Sequence, residues 1–150
     1  MPQFPSVEWF EQVRQIFNDD ESYQEAGGGM CDAVMGIRVG GIKVASQAYI
    51  IVFEGEECSE VREVAEPDLE EADFYLDMAT DEWEAMLRNI KDNGSADLDY
   101  TLNTLDMDRP DGLALTMNGD QYRQDFFYRY NQTFQYFFDA SARVDTEFPS

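Results

Sequence analysis

The chain has no histidine among its 150 residues. That removes Ser-His and Cys-His nucleophile pairs and every histidine-containing zinc site. Lysine is almost as scarce, with only Lys43 and Lys91. The two cysteines, Cys31 and Cys58, fit no C-x-x-C metal spacing. They read as buried thiols rather than a disulfide in a reducing compartment. No apolar run approaches the roughly 20 residues that span a bilayer, so stable membrane insertion is not expected. The opening MPQFPSVEWFEQ has neither a basic n-region nor an apolar h-region. It does not read as a secretory signal, and a cytoplasmic protein is expected. No dinucleotide fingerprint is present. The triplet Gly27-Gly28-Gly29 lacks both a preceding strand and the G-x-x-x-x-G-K-[ST] pattern, so it is not read as a phosphate loop.

What the chain has in excess is acid. Thirty-two Asp and Glu against ten Lys and Arg give a net charge of −22. Nucleic-acid phosphates and anionic lipid heads are therefore disfavoured as partners. The acids are spread along the chain like a solvated surface, and low Lys with high Asp and Glu suits a high-salt cytoplasm. Salt screens self-repulsion between like charges, so the protein is expected to melt higher in molar than in low salt. A flat response contradicts this. With so many acids, a carboxylate pair such as Asp73 with Asp77 reads as solvated surface rather than acid–base machinery. The run Asp106-x-Asp108-x-x-Asp111-Gly112 imitates a calcium loop, but Pro110 and Met117 stand where ligands belong. No metal and no cofactor are expected.

The hydrophobic fraction is 43% and the aromatic fraction 14%, enough for one folded domain over residues 1–150. Ser6 caps a first helix whose apolar face is Trp9, Phe10, Val13, Ile16 and Phe17. It runs to about Asn18, with a second short turn to Glu25. Alternation predicts strands over Met35–Val39, Ile42–Phe53 and Cys58–Ala65, with a tight turn at Gly40-Gly41. The second has apolar residues on both faces and should be central; the third should be an edge. Ala72–Met78 is a fourth strand. Thr80 or Asp81 caps a helix that buries Trp83, Met86, Leu87 and Ile90 and stops at Asn93-Gly94. Ser95 caps another, with Leu98, Leu102 and Leu105 on one face.

The last stretch is the most distinctive. Leu113, Leu115 and Met117 alternate with Ala114, Thr116 and Asn118, as in a half-buried strand. Asn118-Gly119-Asp120 breaks it, and Asp120 caps a final helix. On that helix Phe126, Phe127, Tyr130, Phe134, Phe137 and Phe138 fall within an arc of roughly 120°. Asp125, Arg129, Gln132 and Gln135 take the other side. The arc is either core or the wall of a cavity for an apolar ligand; periodicity serves both. The expected architecture is α+β, a five-stranded, mostly antiparallel sheet covered by helices.

The pattern DFYLDMATDEWEAML, a helix, then DGLALTMNGDQ and a closing helix resembles the sterol carrier protein family of lipid-binding domains, the type-two, non-specific lipid-transfer kind. Thr80-Asp81-Glu82-Trp83 and Gly119-Asp120 carry the resemblance, and PSVEW resembles the start of small stand-alone prokaryotic members. The chain departs from the eukaryotic carriers in its acidity. It also ends in Phe148-Pro149-Ser150 instead of a peroxisomal S-K-L. The resemblance implies an apolar cavity between sheet and helices that binds a sterol, fatty acid, acyl-CoA or related lipid without catalysis. The expected ligand-binding residues are Trp83, Leu87, Leu98, Leu102, Leu105, Leu113, Leu115, Met117, Phe127, Tyr130, Phe134, Phe137 and Phe138, with Leu102, Tyr130 and Phe134 foremost. Two alternatives remain open. One is an enzyme or accessory subunit acting on a lipid, steroid or acyl substrate in that cavity; the other is an interaction domain whose aromatic helix is buried in a homodimer.

Overall fold

The computed structural model describes residues 1–22, 31–41, 46–117 and 119–148. The glycine triplet, the turn to Glu25 and most of the segment between the first two strands lie outside them. Helix α1 spans Val7–Asp19, and the Ser6 hydroxyl accepts from the Trp9 N–H at 3.1 Å. This satisfies one of the orphan donors of its first turn. Trp9, Phe10, Val13 and Phe17 are buried, the face expected from their spacing.

Strands β1 (Ala33–Gly40), β2 (Gln47–Glu54), β3 (Glu57–Val64), β4 (Phe74–Ala79) and β5 (Ala114–Leu115) form one sheet in the order β3-β2-β1-β4-β5. Three pairings are antiparallel; β1 and β4 are parallel. The five-stranded mixed sheet with helices is the architecture expected. β2 lies inside the sheet and β3 at its edge. Tyr49, Ile51 and Phe53 enter the main core, whereas Ala48 and Ile50 enter a smaller one on the opposite face.

The parallel pairing follows from the route between β3 and β4. A 3-10 turn over Glu66–Glu71 carries the chain across the outer face, where Leu69 and Ala72 pack with Ala48 and Ile50. Gly36 permits this approach. A Cβ there would lie 2.8 Å from Leu69 Cδ2 and 2.8 Å from Tyr75 Cβ. The leucine tip can move, but the tyrosine Cβ is tied to the strand backbone. Gly36→Ala is therefore expected to cost about 1–3 kcal/mol, measured by denaturant unfolding. An unchanged midpoint overturns this account of the crossover.

Helix α2 (Thr80–Asn93) buries Trp83, Met86, Leu87 and Ile90 and ends at Gly94, whose φ is +82°. Its cap differs from expectation. Ala79 is the N-cap residue, and the Glu82 carboxylate accepts the Ala79 N–H at 3.1 Å. The reciprocal half of a capping box is thus made ahead of the expected Thr80 or Asp81 cap. The next helix is shorter than expected: α3 covers Leu102–Met107 and is capped by Thr101, not Ser95. The Asp97 carboxylate accepts from the Asp99 N–H at 3.0 Å. This local bond competes with helix, and it leaves Leu98 in a turn, 85% exposed.

The final helix is two. Helix α4 (Gln121–Arg129) starts as expected, with the Asp120 carboxylate accepting from Arg123 N–H at 3.2 Å. Helix α5 covers Asn131–Asp139, and Tyr130 between them adopts φ −112° and ψ 21°. A 3-10 turn, Ala140–Arg143, follows. The bend lets the two pieces face different partners. Phe127 on α4 meets Phe74 of β4, while Phe137 on α5 meets Phe17 of α1.

Candidate functional site

The expected site is the layer between the sheet and α4–α5. Phe134 sits at its centre, with ring centroids 5.3 Å from Phe53 and 5.2 Å from Phe74. Phe137 reaches Phe53 at 5.6 Å and Phe138 reaches Trp83 at 5.7 Å. Most of these contacts are edge-to-face or tilted, the geometry that aromatic quadrupoles prefer. Sheet and helices both contribute: Phe53 and Phe74 alternate inward on strands, and the others come from helical spacing.

The thirteen expected residues divide. Trp83, Leu87, Leu102, Leu113, Phe127, Phe134, Phe137 and Phe138 are fully buried in one cluster. Leu105 and Tyr130 are partly buried against it. Leu115 is half-buried in β5. Leu98 and Met117 are not brought to the layer; they are 85% and 48% exposed. The alternation expected at Leu113–Met117 fails because the strand is two residues long, so Leu113 and Ala114 are both buried.

The rings contact one another across the layer. A recess of about 460 Å³ lies beside α2 and the C-terminal segment, lined by Leu87, Arg88, Lys91 and Phe148 among others. Arg88 stacks on the Phe148 ring at 4.4 Å, and Lys91 is held by the Ala142 and Val144 carbonyls at 3.1 and 3.4 Å. Asp92, Asp145 and Glu147 share its rim, so its two cations are outnumbered.

Two buried carboxylates were not anticipated. Asp106 accepts from the Leu113 N–H at 2.7 Å and from the Tyr128 hydroxyl at 3.0 Å. Burial, then the hydrogen bond to Asp106, raises the Tyr128 pKa. The acid of the apparent calcium loop is thereby spent on joining α3, β5 and α4. Asp139, 6% exposed, accepts from the Ala96 N–H at 3.1 Å and the Gln135 amide at 3.0 Å. Burial raises its pKa above the ordinary carboxylate value. Gln135, placed by periodicity on the outer side, is 7% exposed. The segment carrying Ala96 and Leu102 covers that flank of α5. The signal available in the sequence was the Gln135–Asp139 spacing of four, which stacks two polar side chains on one helix face.

The Asp73–Asp77 pair is not a reactive dyad. Asp73 accepts from Val34 N–H at 2.8 Å and pairs with Arg123 at 3.2 Å; Asp77 pairs with Arg38 at 2.9 Å. Cys31 and Cys58 are free and buried, and burial pushes both thiols up to about 12. Such burial disfavours the thiolate, the nucleophilic form.

No protein-family model and no curated protein sequence matches the chain. Two solved structures do match in three dimensions. The crystal structure of a sterol carrier protein 2 superposes with a TM-score of 0.64 at 16% identity, covering 95% of this chain and 99% of that one. The fold is that of sterol carrier protein 2. The solution structure of a Thermus thermophilus protein, TT1886, a conserved hypothetical protein described as a candidate sterol carrier protein, gives 0.65 at 17% identity. It covers 100% of this chain and 94% of that one. The sterol carrier fold thus extends over the whole chain, as the resemblance implied. At this identity the likeness concerns the fold.

Proposed function

We propose that residues 1–150 form a single cytoplasmic, non-catalytic domain that binds and carries a hydrophobic small molecule of the sterol, fatty-acid, acyl-CoA or related lipid kind. One observation carries the reading. A sterol carrier fold places Phe53, Phe74, Phe127, Phe134 and Phe137 in one aromatic layer between sheet and helices. A captured ligand gains about 25 cal/mol per Å² of apolar surface removed from water. Capture in this layer would draw α4 and α5 away from the sheet, and the bend at Tyr130 supplies a joint. Among the described residues no helix is long and apolar enough to cross a membrane.

The enzymatic alternative would use Tyr130, partly buried against the layer, or a buried carboxyl group such as Asp139. The Asp139 acceptor oxygen is occupied by the Ala96 N–H and Gln135, an arrangement that holds a segment rather than meets a substrate. The dimerising alternative needs an exposed aromatic face, and Phe127, Phe134, Phe137 and Phe138 are spent inside the monomer. Native mass spectrometry of the purified protein, followed by organic extraction, tests the carrier reading. A stoichiometric lipid, or uptake of one by the empty protein, is expected. An empty protein that takes up neither a fluorescent fatty acid nor a fluorescent sterol overturns it.

A further inference from the structure

Helix α5 carries a second row beside its aromatic one. Asn131, Gln135 and Asp139 stand four residues apart, which places them one above another on the helix. Its Gln135 and Asp139 hold down the segment from Ser95 to Met107, which leads from the end of α2 through α3. The Gln135 side-chain oxygen accepts the Leu102 N–H at 2.8 Å. Its amide donates to Asp139 Oδ1, which also takes the Ala96 N–H. Asn131 Nδ2 is buried and, among the described residues, has no hydrogen-bond partner. The row therefore runs from an unpaired donor to a buried acid, on the helix that carries Phe134 and Phe137.

The covering segment has one fully buried apolar side chain, Leu102, while Leu98 and Met107 are 85% and 75% exposed. Apolar burial is what makes an element costly to lift. This one is fastened chiefly by hydrogen bonds: those to the row, those of Asn89 with Asp97 at 2.7 and 3.0 Å, those of Asp106 with the Leu113 N–H and the Tyr128 hydroxyl at 2.7 and 3.0 Å, and, just beyond its end, an Arg109–Glu82 ion pair. It should open at a lower free energy than the sheet.

We propose that residues 95–107 are a strap that lifts to admit the ligand, and that the Asn131–Gln135–Asp139 row beneath it receives the ligand's uncharged, hydrogen-bonding end. The inference rests on the carrier reading and narrows its ligand class. Once the strap lifts, Gln135 and Asp139 each lose a backbone donor, and Asn131 already lacks an acceptor. A hydroxyl between Gln135 and Asn131 supplies both, donating to the Gln135 oxygen and accepting from the Asn131 amide. A ligand carboxylate would instead face the Asp139 carboxylate out of water, and among the described residues no Lys or Arg hydrogen-bonds to the row. Burying that pair uncompensated is unfavourable.

The test compares a fluorescent long-chain alcohol with the fatty acid of the same chain, on the parent protein and on Gln135→Met. The methionine keeps length and burial and removes both bonds. The parent is expected to bind the alcohol at least about tenfold tighter than the acid. Gln135→Met should take up either probe about tenfold faster and bind the alcohol more weakly, while the Asp139 carboxylate still disfavours the acid. Hydrogen exchange on the unaltered protein gives an independent reading. The Ala96 and Leu102 amides should exchange faster than those of β2 and slow when the alcohol binds. Equal affinity for acid and alcohol overturns the head-group assignment. Unchanged uptake in Gln135→Met, or Ala96 and Leu102 amides as protected as those of β2, overturns the strap. If neither probe binds the parent, the carrier reading fails and takes this inference with it.

Discussion

Phe134→Ala is expected to yield a destabilised but folded protein that binds a small aromatic molecule the parent does not. Phe134 is fully buried and touches Phe53, Phe74 and Phe127, the last in a stacked arrangement with 9° between planes. Its neighbours come from β2, β4 and α4, three elements tied into the fold by other contacts. They cannot all collapse into the space the ring vacates. Loss of a buried phenylalanine costs about 3–5 kcal/mol, against a total stability of about 5–15 kcal/mol for a domain. An apolar hole of that kind stays dry and accepts benzene-like molecules. Thermal melting with and without such a probe measures both effects. Lipid affinity, corrected to the folded fraction, decides whether Phe134 belongs to a binding layer. A change in affinity beyond the loss of folded protein is expected. Unchanged affinity of the folded fraction makes Phe134 core alone.

The sequence was most legible where one physical requirement dominated. Trp9, Phe10, Val13 and Phe17 share a helical face and all are buried; so are Trp83, Met86, Leu87 and Ile90. Gly94 needs a positive φ and ends α2 as expected. Within β2 the alternation assigns Tyr49, Ile51 and Phe53 to one face and Ala48 and Ile50 to the other, and both faces are buried. What periodicity could not carry was competition between local and distant contacts. Leu98, Leu102 and Leu105 have helical spacing, yet Asp97 and Thr101 form turn and cap bonds between them. The parallel pairing of β1 with β4 depends on Leu69 reaching a space above Gly36, far away in sequence. The bend at Tyr130 has no proline or glycine to announce it. Gln135 reads as exposed because its cover comes from another part of the chain. The aromatic layer was therefore visible as a set of residues, but the strap over α5 and the polar row that holds it were not.

Asp139 offers the sharpest contrast between two substitutions at one position. Asp139→Ala should cost about 2–4 kcal/mol, because it leaves the Ala96 N–H and the Gln135 amide buried without an acceptor. Asp139→Asn should be neutral or stabilising. Both donors go to the same oxygen, Oδ1, and an asparagine keeps that oxygen while shedding a charge held out of water. The pH dependence follows from the same geometry. Burial raises the folded-state pKa of Asp139 above its ordinary 3.8, so the folded chain holds this proton to higher pH than the unfolded chain does. Below 3.8 the group is neutral in both states and costs nothing. As pH climbs from there through the raised folded value, the unfolded state releases its proton first and stability falls. Above that value the cost is fully present. Unfolding free energies of parent and Asp139→Asn should therefore converge at acid pH and separate as pH rises, with the variant above. Two curves that stay parallel across this range would mean that the Asp139 carboxylate is solvated in the folded protein. Its hold on Ala96 would then be a surface contact rather than a buried clasp. Curves that separate and then level off below neutral pH would place a charge under the strap at neutral pH, where it discriminates against an anionic ligand.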